Sequence, residues 1–104
     1  MNTNTHLSHT QIENIGALCK KHRVKHLHVF GSLLRARFNE NSDIDFLVSF
    51  EDMDYGDYAD AYFGLAEDLE GLLGRNVDLV TEKSLRNPHF IKSIESNKKL
   101  LYAA

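Results

Sequence analysis

Asp43 and Asp45 stand two residues apart at the head of an apolar run, Asp43-Ile44-Asp45-Phe46-Leu47-Val48. Side chains alternate along a strand, so a strand here turns both carboxylates to one face. Their Cα atoms would lie roughly 6.5–7 Å apart, and the two groups can reach a pair of divalent ions about 3.5–4 Å apart. An oxygen-only donor set suits Mg2+, with substrate phosphates and water completing the shell. A third acid, Asp78, interrupts the apolar run Val77–Val80, which reads as buried, where a charge needs a partner. If that run pairs with Ile44–Phe50, Asp78 approaches the same face, as a metal ligand or as a base for an attacking hydroxyl. Gly31-Ser32 precedes Asp43 by ten intervening residues. The glycine permits close backbone approach, and N–H groups at a helix start attract phosphate. Ser32 adds a hydroxyl, and Arg35 and Arg37 can neutralise phosphate charge.

These residues need elements to position them. Ser8 with Gln11 three residues on is a capping-box pattern, and Ile12, Ile15, Leu18 and Cys19 recur at helical spacing, which predicts a helix over 9–22. The β-rich run 26–30 predicts a strand that ends at Gly31-Ser32. Residues 32–37 read as a short helical turn and 39–42 as a polar loop. A central strand follows over 44–50. Tyr58, Tyr62, Leu65, Ala66, Leu69, Leu72 and Leu73 share one helical face, and Gly74 supplies the stop. Residues 77–80 predict a third strand. Asn87-Pro88 reads as an N-cap followed by proline in the first helical position, opening a helix to about residue 97. Leu100-Leu101-Tyr102 is either an edge strand or a packed tail. The order predicts an α/β (α+β) fold, a short mixed sheet with helices packed on it. Residues 1–8 read as a flexible N-terminus and 9–104 as one domain.

Composition narrows the function. A chain of 104 residues, 42% hydrophobic and 26% charged, is a single globular domain rather than a disordered tail. One cysteine, Cys19, excludes an internal disulfide framework and reads as a small core residue. No apolar run is long enough for a membrane helix or a signal-peptide core, so the expected location is the cytoplasm. The net charge of −3 argues against direct nucleic-acid binding through phosphate contacts. Eleven of the 15 acids fall between Phe38 and Gly74, a stretch without Lys or Arg. That block is a solvated face, a cation site or a surface for a basic partner.

Gly31-Ser32, ten residues, and then Asp43-Ile44-Asp45 on a strand resembles the signature of the minimal nucleotidyltransferases, small members of the polymerase-beta-like superfamily. Phe46-Leu47-Val48 is similar to the family's apolar strand, and Gly74–Val80 to the strand that carries its third carboxylate. The resemblance covers about residues 10 to 102. It implies the polymerase-beta-like fold, with Gly31, Ser32 and Arg35 at the nucleotide triphosphate. It implies Asp43, Asp45 and Asp78 as the catalytic acids and as ligands of two Mg2+ ions, with ATP as substrate. Leu34 and Ala36 depart from the alanine and glycine usual at those positions. The small members are similar to antitoxins paired with HEPN-domain toxins, and the implied activity is transfer of AMP from ATP to a tyrosine of such a ribonuclease. Two other readings remain beside it: a non-catalytic antitoxin that neutralises by binding, and the catalytic subunit of a two-component transferase acting on a small molecule such as an aminoglycoside.

Lesser signals have plainer readings. His26 and His28 share a strand face at ligand spacing, yet without a third ligand nearby they read as surface or packed histidines. Tyr58 and Tyr62 read as helix-face core. Lys20–Lys25 reads as a solvated helix end favoured by the helix dipole.

Overall fold

A computed structural model describes residues 7–30, 43–82 and 86–104. The helical turn over 32–37 and the polar loop over 39–42 lie outside these residues, as do Gly31, Ser32, Arg35 and Arg37. The first helix, α1 (His9–Lys21), opens as the capping-box pattern predicts. The Gln11 backbone N–H donates to Ser8 Oγ at 3.1 Å, and the Ser8 N–H donates to Gln11 Oε1 at 2.9 Å. Leu7, just before the cap, is buried in the same cluster that Ile12 packs against. A staple of this kind fixes the entry of the chain into the helix.

The chain leaves α1 through His22 and Arg23, the latter in the left-handed region at φ 60°. Strand β1 (Val24–Phe30) follows, then β2 (Ile44–Phe50), α2 (Tyr55–Leu73), β3 (Val77–Thr81), α3 (Pro88–Asn97) and β4 (Lys99–Ala103). The sheet order is β3-β2-β1-β4. β1 pairs antiparallel with β2 and β4, while β2 and β3 are parallel. Parallel neighbours need a crossover, and α2 supplies it. Gly74 ends α2 in the left-handed conformation at φ 68°, its N–H donating to the Glu70 carbonyl at 2.8 Å. Asn87 opens α3 as expected, its Oδ1 accepting from the His89 N–H at 2.9 Å.

Leu100–Tyr102 belongs to an edge strand rather than a tail. Helices α1 and α2 lie on one face of the sheet. Ile15 and Cys19 from α1 and Ala61, Leu65 and Leu69 from α2 close over Leu27, Val29, Ile44, Phe46 and Val48. Burying such side chains contributes about 1.5–3 kcal/mol each. Burial pushes the Cys19 thiol up to about 12, so Cys19 is a core residue and no nucleophile at neutral pH.

Candidate active site

Alternation along β2 sends Ile44, Phe46, Val48 and Phe50 into the core and leaves Asp45, Leu47 and Ser49 on the other face. Asp43 precedes the strand by one residue, two before Asp45, and is exposed; Asp45 is half-buried. In the register Asp45 lies between Phe30 of β1 and Asp78 of β3. Neighbouring strands run about 4.8 Å apart, so Asp45 and Asp78 are side by side on the face opposite the helices.

Several contacts hold β3 in that register. The Ile44 N–H donates to the Asn76 carbonyl at 3.0 Å, joining the starts of β2 and β3 beside the carboxylates. Glu70 Oε2 accepts from the Val77 N–H at 3.1 Å. From α2, the Tyr62 hydroxyl donates to the Leu79 carbonyl at 2.6 Å. Burial raises the Tyr62 phenol, and the nearby charge of Asp78 adds to the shift. Tyr62 was expected only as core, and Glu70 only as one acid of the block between Phe38 and Gly74. Both bonds link residues whose proximity depends on how α2 packs, which no local pattern encodes.

One expectation needs correction. Asp78 is exposed, and in β3 only Leu79 is buried. The reason is topological: β3 is an edge strand, so the apolar letters around Asp78 cover one face only. Asp78 therefore sits in solvent beside Asp45 and not as an acid buried in the core.

Further along the same face, Phe30 and Leu47 are buried together, with Val80 packed against them. His28 lies there too, paired with Leu47 across the strands. Its Nδ1 is buried without a hydrogen bond, and burial lowers its basicity, with Lys98 adding to the effect. Among the described residues no three His, Cys, Asp or Glu side chains form a group that could hold a metal ion. Thus Asp43, Asp45 and Asp78 share a face but do not converge as a closed three-ligand set. His26 and His28 likewise form no metal group. The oxygen-only pair Asp43/Asp45, one exposed and one half-buried on a single face, fits Mg2+, which binds through one or two carboxylates and substrate phosphates.

Comparison with known proteins follows the same lines. The nucleotidyltransferase domain family matches residues 13–101. A Methanocaldococcus jannaschii protein, provisionally named a protein adenylyltransferase, is 44% identical over 77 residues, covering 74% of this chain and 76% of that protein. A solved structure described as a candidate minimal nucleotidyltransferase superposes with a TM-score of 0.73 at 32% identity, covering 90% of this chain and 96% of the other. A toxin–antitoxin crystal structure with AMP-PNP gives 0.68 at 26% identity, covering 94% of this chain and 75% of that one. The family match spans most of the sequence, and the carboxylates lie on one sheet face: the chain belongs to the nucleotidyltransferase domain family and is a nucleotidyltransferase.

Proposed function

We propose that this nucleotidyltransferase is an antitoxin that transfers AMP from ATP to a tyrosine of a HEPN-domain toxin. The observation that carries the reading is the register placing Asp78 beside Asp45, with Asp43 on the same face two residues earlier. The M. jannaschii relative named a protein adenylyltransferase supports a protein acceptor, and the toxin–antitoxin neighbour with AMP-PNP supports an adenine nucleotide and a toxin partner. Asp43 and Asp45 would hold Mg2+, which supplies charge neutralisation at the α-phosphate and on the departing pyrophosphate. The acceptor hydroxyl approaches from the side of Asp78. Its oxygen attacks the α-phosphorus, the bond to the bridging oxygen of pyrophosphate breaks, and Asp78 takes the hydroxyl proton. The products are the AMP–tyrosine ester and pyrophosphate. Gly31 and Ser32 would cradle the triphosphate, with Arg35 balancing its charge.

The test is transfer from ATP radiolabelled at the α-phosphate, with Mg2+ and the HEPN-domain protein encoded beside this chain. Wild type should label the partner. Asp43→Asn and Asp45→Asn, which keep shape and remove charge, should each lower the rate about a hundredfold or more. A chelator should abolish labelling. No label, with tight binding retained by both variants, would instead identify an antitoxin that acts by binding alone.

A further inference from the structure

Helix α2 turns Ala61, Leu65 and Leu69 into the core, and directly opposite them stands Phe63, 67% exposed. The ring is not a loose surface side chain. It packs edge-on against Tyr62, with centroids 5.2 Å apart and planes at 85°, and Tyr62 is tethered to the Leu79 carbonyl at 2.6 Å. Phe63 is thus an aromatic side chain braced by an anchored neighbour, a pre-organised contact that loses little freedom on binding. Its neighbours on that face, one and two turns toward the N-terminus, are Ala59 and Gly56, and no heavy atom lies within 4 Å of a Cβ added at Gly56. The shoulder beside the ring is therefore low and open.

Asp60 and Glu67 flank Phe63 about one turn away on either side, both exposed. Neither forms an ion pair among the described residues. Helix stability does not account for Glu67, because an acid in the C-terminal half gains nothing from the helix dipole. By contrast, Asp68 is bonded to His22 and Lys21, and Glu70 to the Val77 N–H. No Lys or Arg occurs anywhere in α2.

We infer that the Phe63 face of α2 is a docking surface for a protein partner presenting a basic surface with an apolar recess. Charge selects among occupants. An acidic face repels phosphate backbones and anionic lipid. A two-fold contact with a second copy would set the same carboxylates against each other. A basic protein gains steering from Asp60 and Glu67 and buries the ring. The face also lies across the sheet from Asp43, Asp45 and Asp78, separated from them by at least a helix diameter of about 10–12 Å. A partner held here leaves the carboxylates uncovered, so holding and modifying are separate acts on opposite sides of the molecule. This inference rests on the proposed protein partner and names where it docks.

The experiment measures binding of the neighbouring HEPN-domain protein by calorimetry at two salt concentrations, beside the labelling assay. The variants are Phe63→Ala, the pair Asp60→Lys/Glu67→Lys, Asp45→Asn, and Glu13→Lys on exposed α1 as a single charge reversal elsewhere. Thermal melts check that each folds. The expected result is a Kd weakened about tenfold or more by Phe63→Ala. The double lysine variant should weaken binding and flatten its salt dependence. Asp45→Asn and Glu13→Lys should bind like wild type. Unchanged Kd in both α2 variants, or absence of a wild-type complex, overturns the surface; weakened binding by Asp45→Asn to the same extent places the partner on the carboxylate face and also overturns it. Labelling with unchanged α2-variant affinities sinks the surface and spares the proposed activity. Weakened α2-variant binding without wild-type labelling does the reverse.

Discussion

Gly64 on α2 faces the imidazole of His22, and a Cβ there would come within 2.7 Å of His22 Cε1 and 3.1 Å of Nδ1. The ring is 12% exposed and sits 2.7 Å from Asp68 Oδ2 through Nε2, so it has little room to yield. Alanine at 64 gains about 1 kcal/mol of helix propensity. Against that stands a hydrogen bond to a charged group, about 1.5–3 kcal/mol. Gly64→Ala should therefore destabilise by about 1 kcal/mol, read as a lower urea midpoint. Asp68 itself predicts a pH effect. Its hydrogen bonds from His22 and Lys21 hold the carboxyl below the usual carboxylate value. The sign follows from linkage: a depressed folded value adds stability that is fully present above the unfolded value and is lost as pH falls through the folded one. Urea unfolding over a pH series should show stability falling in that acid window, and Asp68→Asn should remove its share of the slope. The pair spans 46 residues and carries no local pattern, so the sequence displayed Lys20–Lys25 only as a helix end.

At the scale of elements, the parallel pairing of β2 and β3 decides where the chemistry sits. β3 is a five-residue edge strand, and Tyr62 ties its Leu79 carbonyl to α2. Tyr62→Phe keeps the ring and deletes that bond, which should cost about 1 kcal/mol. Hydrogen exchange should quicken in β3 before it does in β1 or β2. Most of these elements were legible beforehand. The alternation in Ile44–Phe50 and the helical stripe through Leu65, Leu69 and Leu72 are strong because one face of each is buried. The capping box and Asn87-Pro88 marked two helix starts for the chemical reason that their side chains satisfy free N–H groups. Strand β1 begins at Val24, earlier than the run at 26–30 suggested, because Lys25 breaks the apolar pattern. Hidden from any local pattern were the strand order, and with it the exposure of Asp78: apolar neighbours read the same in an edge strand as in a central one.

For the whole molecule, the acids between Phe38 and Gly74 do not form one surface. Asp43 and Asp45 belong to the sheet face opposite α1 and α2, while Asp60 and Glu67 stand on the outside of α2, with the hydrophobic core between them. The α2 variants described above test that division. No described helix is long and apolar enough to cross a membrane. Strand β4 completes the sheet against β1, and the Ala104 N–H donates to the Lys25 carbonyl at 2.9 Å. During synthesis β1 leaves the ribosome long before β4 does. Until those residues arrive, the outer edge of a strand carrying Val24, Leu27 and Val29 is an open template to which a strand of another chain can bond. Closing that edge removes the template that would otherwise recruit another chain.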